Sequence, residues 1–196
     1  MTLSWDLALE IFGLILGLIY LWYEYHANAR VWLVSVIMPL ISMSLYYRKG
    51  LYADFAINIY YVAIAVYGYL VWTLKREPRN DDSAKKVVIT DASLEILSGC
   101  TIACAALWYG IWYVLDNYTN SNVPVADAFT TALSIVALWM MARKYTQQWL
   151  AWMVVDAVSV SLYIYKGIYF YASLYAIYTG IAWFGYIKWR RLRGVK

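Results

Sequence analysis

The chain is poor in the residues with which most enzymes do chemistry. It has one histidine, two cysteines and three prolines among 196 residues, and 14% of it is charged. A single histidine, His26, cannot build a histidine-rich metal site. No GxxxxGK[ST] phosphate loop occurs, which excludes ATP hydrolysis on this chain. No serine sits beside a candidate base. Cys100 and Cys104 are four residues apart in an apolar stretch. That spacing gives no disulfide framework and no metal cluster surrounds it, so they read as small packing residues. No enzymatic activity, cofactor, metal or nucleic-acid partner is expected. A retinal-binding receptor would need a lysine at mid-membrane for a Schiff base. Lys166 and Lys188 fall at helix ends instead.

What the chain has in quantity is hydrocarbon and aromatic rings. It is 64% hydrophobic and 19% aromatic, with a mean hydropathy of +0.55. A soluble domain is nearer half apolar, so the sequence predicts an integral membrane protein whose partner is the lipid bilayer. The first apolar run is long and lacks a basic leader, so no removable signal peptide is expected. Seven runs, at roughly 5–25, 31–47, 51–74, 93–115, 126–143, 147–165 and 168–189, are long enough to cross a ~30 Å hydrocarbon layer as helices. They are continuous rather than alternating, which excludes a β-barrel.

Charge placement predicts orientation. All but Arg48, Lys49 and Lys166 of the 16 lysines and arginines fall on the side of the polar 75–92 loop. That side holds Arg30, Lys75, Arg76, Arg79, Lys85, Lys86, Arg143, Lys144, Lys188, Arg190, Arg191, Arg193 and Lys196. The N-terminus is therefore expected outside and the C-terminus inside.

The chain also overlays itself without a gap at an offset of 117 residues, the separation of Trp32 and Trp149. Trp32-Leu33 matches Trp149-Leu150. Ser42, Ser44, Leu45 and Tyr46 match Ser159, Ser161, Leu162 and Tyr163. Lys49-Gly50 matches Lys166-Gly167, and Tyr61, Gly68-Tyr69 and Trp72 match Tyr178, Gly185-Tyr186 and Trp189. Glu10 matches Asp127. The expected organisation is a first three-helix repeat (1–74), a cytoplasmic linker (75–92), a connecting helix 4 (93–116), and a second three-helix repeat with a basic tail (117–196). Two three-helix units joined directly would be inverted in the membrane, and one extra crossing restores parallel orientation. Parallel repeats of this kind occur in transporters, with the substrate site near mid-membrane at the repeat interface.

The candidate site follows from the segment Gln147 to Trp189. Trp149, Trp152 and Asp156 stand at i, i+3 and i+7, on one helical face. Aromatic rings above a lone carboxylate in an apolar helix suit a flat cation. Simple helix packing, with Asp156 satisfied by a hydroxyl, is the competing reading. The repeats differ here: Pro39 stands opposite Asp156 and Ser35 opposite Trp152, so one repeat has the acid and the other a candidate hinge. Buried ionisable residues are costly at mid-bilayer and are functional candidates for that reason. The candidates taken from the spans are Glu10, Asp54, Asp127 and Asp156, of which Asp156 alone is central. Asn58 is the other mid-depth polar residue, with Tyr61 beside it. Tyr175 and Tyr178 stand at the matching positions of the second repeat.

The run ARKYTQQWLAWMVVDAVSVSLYIYKGIY, together with KGLYADFAINIYYVAIAVYGYLVW, resembles the PnuC family of bacterial vitamin transporters. The resemblance covers nearly the whole chain, and the W-x-x-W pair Trp149 and Trp152 is its clearest signature. It implies an all-α, SWEET-like fold of seven transmembrane helices in a 3+1+3 arrangement, often a homotrimer, in the bacterial inner membrane. It also implies facilitated diffusion, with a cytoplasmic kinase phosphorylating and trapping the vitamin. Family members that carry nicotinamide riboside show asparagine at the Asp156 position and glutamine at the Asn58 position. Relatives carry thiamin or riboflavin. A carboxylate suits the nicotinamide pyridinium or the aminopyrimidine of thiamin. The expected substrate is thus a cationic aromatic vitamin, nicotinamide riboside first and thiamin as the alternative. A non-transporting receptor or scaffold stands behind both. The expected contacts are Trp149, Trp152, Asp156, Asn58, Gln148, Tyr61, Tyr175 and Tyr178.

Overall fold

A computed structural model describes the backbone of residues 2–48, 52–74 and 89–193. They form seven α-helices: α1 (Thr2–Tyr25), α2 (Arg30–Arg48), α3 (Tyr52–Leu74), α4 (Leu94–Tyr118), α5 (Pro124–Ala142), α6 (Gln148–Tyr165) and α7 (Tyr169–Leu192). These follow the expected spans closely. Lys49, Gly50, residues 75–88 and the tail 194–196 lie outside the described residues, and so do the side chains of Glu10 and Asp54. Most of the expected linker, and the cations Lys75, Arg76, Arg79, Lys85, Lys86 and Lys196, therefore fall outside them too.

Among the described residues, Ile57–Leu74, Leu94–Tyr118 and Pro124–Ala142 are long and apolar enough to cross a membrane by length and composition. Helix α6 carries Gln148 and Asp156 within its apolar run, and α7 combines five tyrosines with Lys188, Arg190 and Arg191 at its end.

Local chemistry explains where the helices begin and end. Ser93 caps α4, its Oγ accepting from the Ile96 amide at 3.3 Å, with Glu95 in the first turn. Pro124 opens α5, where its missing N–H costs nothing. The α6–α7 turn closes on Gly167, at φ 72°, with Gly167 N donating to Ile164 O and Ile168 N to Tyr163 O at 2.8 Å. That pair of bonds is a Schellman motif. The same motif ends α1, where Ala27 N donates to Glu24 O and Asn28 N to Tyr23 O. It also ends α5, where Lys144 N donates to Met141 O and Tyr145 N to Met140 O. There the left-handed residues are Ala27 (φ 49°) and Lys144 (φ 63°), which are repeat partners.

The chain divides into two compact units, Met1–Val87 and Val88–Lys196. In the first, α1 packs on α2 and α2 on α3. Trp32 and Trp72 are buried between α2 and α3, edge to face with centroids 5.7 Å apart at 90°. Gly68 lies against the Trp32 ring, leaving no room for a Cβ.

In the second unit α4 packs on α5, α5 on α6 and α6 on α7. Trp149 and Trp189 are buried, edge to face at 5.7 Å and 86°. A Cβ on Gly185 would come within 2.8 Å of three Trp149 ring carbons. The Trp32–Gly68–Trp72 and Trp149–Gly185–Trp189 matches of the sequence thus share one geometry, each inside its own unit. Helix α4 lies against a cluster of Ala92, Val136, Met140 and Tyr145, to which Cys100 and Cys104 contribute as packing residues with free thiols. Trp108 fixes the other end of α4, its indole N–H donating to Val125 O at 2.9 Å.

Candidate functional site

The second unit brings most of the expected site residues together on the α6–α7 pair. Gln148, Trp152, Asp156 and Ser159 follow the i, i+4, i+8, i+11 spacing that keeps side chains along one strip of a helix. Gln148, Asp156 and Ser159 are buried, and Trp152 is half-buried. Asp156 is 7% exposed, and among the described residues no lysine or arginine forms an ion pair with it. Across from it, Tyr175 and Tyr178 of α7 lie within electrostatic reach of its carboxylate. Tyr175 in turn stacks on Tyr163 at 5.2 Å and stands edge-on to Tyr178 at 5.7 Å. The result is one buried acid set among phenols, with an indole one helical turn away.

Trp149 occupies a different environment from Trp152. Its ring is closed off by Gly185 on one side and Trp189 on another. Trp32 repeats this arrangement in the first unit, so the position serves helix packing in both. Of the two tryptophans expected to bracket a ligand, Trp149 is 1% exposed and the more accessible one is Trp152. Its indole N–H is buried and has no hydrogen-bond partner among the described residues. Gln148 is fully buried, and neither its amide nitrogen nor its amide oxygen has a partner there. Buried polar groups are nearly always hydrogen-bonded, so these atoms stand out, together with the buried indole N–H groups of Trp32 and Trp149.

Asn58 and Tyr61 belong to α3 of the first unit. Asn58 is buried, and Tyr61 lies beside Tyr60 with centroids 5.9 Å apart. Among acids, Asp127 pairs with Lys166 at 3.5 Å and accepts from Ser121 Oγ at 3.0 Å, at the half-exposed end of α5. Sequence reasoning missed three residues. Ser159 and Tyr163 extend the polar strip of α6 beyond Asp156, and the spacing from Asp156 was the available signal. Glu24, 1% exposed at the end of α1, is a further buried acid. Its place near a span end concealed it. No cluster of metal-ligating residues occurs among the described residues.

One end of the second unit is tied down beside this strip. The segment Ile89 to Ala92 lies along the α5–α6 turn: Thr90 N donates to Lys144 O, Thr146 N to Thr90 O at 2.9 Å, and Ala92 N to the Gln147 side-chain oxygen at 2.9 Å. Asp91 pairs with Arg193 at the end of α7. Arg143, Lys144, Arg190, Arg191 and Arg193 therefore collect at one end of the unit.

A family model described as nicotinamide mononucleotide transporter matches residues 7–191. The chain is 22% identical to the nicotinamide riboside transporter PnuC of Escherichia coli (strain K12), over 95% of this chain and 85% of that one. It is 28% identical to the riboflavin/roseoflavin transporter RibM of Streptomyces davaonensis, over 92% of this chain and 83% of that one. Among solved structures, that of the vitamin B3 transporter PnuC superposes with a TM-score of 0.68 at 21% identity, covering 91% of this chain and 78% of that one.

Proposed function

The chain belongs to the nicotinamide mononucleotide transporter family, the family of the PnuC transporters, and we propose that it moves a cationic aromatic vitamin across the bacterial inner membrane, nicotinamide riboside first. The observation that carries this reading is Asp156: a buried carboxylate on a membrane helix, with Trp152 one turn away and Tyr175 and Tyr178 facing it. A lone acid in such a setting is costly unless a cation meets it, and an indole face adds attraction for the same cation. Gln148 and the Trp152 indole N–H supply hydrogen bonds. Asn58 and Tyr61 are kept as further candidate contacts.

Transport is by facilitated diffusion. The sequence carries no GxxxxGK[ST] phosphate loop to drive pumping with ATP, and the vitamin is trapped by a cytoplasmic kinase. The scaffold is a 3+1+3 arrangement of parallel repeats, SWEET-like and homotrimeric, with Pro39 inside α2 as a hinge in the repeat that lacks the acid. The N-terminus is outside. The basic residues gathered at the α5–α6 turn and the end of α7 support this, since such residues favour the cytoplasmic side.

Thiamin is the second reading, favoured by the carboxylate at 156, which accepts two hydrogen bonds from a protonated aminopyrimidine. Titration of the purified protein with nicotinamide riboside, thiamin and riboflavin tests the reading. The riboside is expected to bind most tightly. Tighter binding of thiamin would transfer the assignment to it, and binding of none of the three would overturn it.

A further inference from the structure

The two repeats make it possible to separate architecture from ligand recognition within one chain. Features present in both units hold helices together. The Trp–Trp–Gly clamp is one, and the unpartnered indole N–H groups of Trp32 and Trp149 belong to it. Features present in one unit alone are not required by the shared packing. Gln148 is such a feature. Its repeat partner is Val31, and both side chains are 0% exposed. Hydrocarbon fills this slot in the first unit. In the second, a primary amide fills it and leaves a donor and an acceptor unmet. Burying an amide where valine packs equally well is unfavourable unless something pairs with it.

The position of Gln148 along α6 shows what that partner is. Eight residues separate it from Asp156, about 12 Å at the helical rise. Trp152, whose indole N–H is also buried and unpartnered among the described residues, stands midway between them in the sequence of α6. A cationic ring seated at Asp156 and Trp152 does not extend that far, and a carboxamide stays within a bond of its ring. A hydroxylated substituent on the ring nitrogen does extend, and each hydroxyl both donates and accepts, as the two amide atoms require.

We propose that Gln148 is the specificity-determining residue for the polar tail of the substrate, so that the site selects an N-glycosylated or otherwise hydroxyalkylated ring cation over the bare ring cation. This rests on the cationic-vitamin reading above and adds to it the class of tail. Gln148 pairs with the tail hydroxyls, and Asp156 with Trp152 holds the ring.

The test is calorimetric titration of the purified full chain with two probes, nicotinamide riboside and N1-methylnicotinamide, which keeps the charged ring and lacks the sugar. Wild type is expected to prefer the riboside by about tenfold or more, the value of one or two buried hydrogen bonds. Gln148→Val, which copies the first repeat, is expected to erase that preference by weakening the riboside while leaving the methylated ring unchanged. Gln148→Met, closer in volume to glutamine and without hydrogen-bonding groups, should behave alike and serves if the valine variant does not fold. Equal affinity of wild type for both probes overturns the proposal, and so does equal weakening of both, or of neither, in the variants. If wild type binds neither probe, the nicotinamide riboside reading fails first and the tail assignment falls with it. If it binds the ring cation without preferring the riboside, the tail assignment alone fails.

Discussion

Trp149 stands edge-on to Trp189 with ring centroids 5.7 Å apart, and Gly185 fills the space beside the Trp149 ring. A residue that sequence spacing offered as a ligand platform is thereby a clamp between α6 and α7. Its counterpart Trp32 clamps α2 to α3 with the same geometry.

The clamp has a direct consequence. Gly185→Ala places a methyl group 2.8 Å from the Trp149 ring, so α6 and α7 must separate. Overpacking of this kind costs about 1–3 kcal/mol, and a lower melting temperature in detergent is the expected outcome. Gly68→Ala should act similarly through Trp32. Unchanged melting of both variants would show that the helices are not held by this contact.

The two left-handed residues at helix ends give the opposite sign. Ala27 and Lys144 adopt φ 49° and 63°, where a Cβ is strained by roughly 1–2 kcal/mol. Ala27→Gly relieves that strain at a buried site with no bulk to lose. It is expected to raise the melting temperature by a few degrees. A fall would mean that the cost of unfolded-chain entropy exceeds the strain.

Trp152 and Trp149 are expected to separate in binding and stability. A cation–π contact in a desolvated site contributes about 2 kcal/mol, so Trp152→Ala should weaken vitamin binding roughly thirtyfold and change melting little. Trp149→Ala should chiefly lower melting, because a buried Trp→Ala change removes about 3–5 kcal/mol of packing. Binding titrations beside thermal melts read both quantities. The reverse pattern would return Trp149 to the ligand and make Trp152 structural.

How much of this was legible beforehand differs by level. The seven helices were readable because each run is long and nearly uncharged, and their bounds agree with Gly, Pro and Ser signals at the ends. The repeat was readable because Trp, Gly and Tyr recur at one offset, and the Trp32–Trp72 and Trp149–Trp189 geometries show why those residues recur: a glycine must face each indole. Asp156 stood out as an acid inside an apolar run, and the structure places it against the two tyrosines proposed from α7. The division of labour between Trp149 and Trp152 was not legible, since both lie on α6 three residues apart and only the position of Gly185 tells them apart. Glu24 was missed because linear distance from a span end does not report burial. Gln148 was among the expected contacts, but that both polar atoms of its amide are buried without a partner among the described residues needed coordinates.

Substrate charge is read by Asp156→Asn. If thiamin is the ligand, the change removes the negative charge and replaces one of the two acceptor oxygens facing its protonated aminopyrimidine with a donor, and binding is lost. If nicotinamide riboside is the ligand, binding is partly retained, because the asparagine amide still pairs with a carboxamide. Titration of the variant with both vitamins decides between them, and unaltered affinity for both would remove Asp156 from the site.

The most direct measurement is uptake of radiolabelled nicotinamide riboside into proteoliposomes containing the purified chain. Label is expected to enter until inside and outside concentrations are equal. The rate should ignore imposed proton or sodium gradients and fall sharply in Trp152→Ala. Entry no faster than in protein-free vesicles, or accumulation above the outside concentration driven by an ion gradient, would contradict a facilitated carrier built around Asp156.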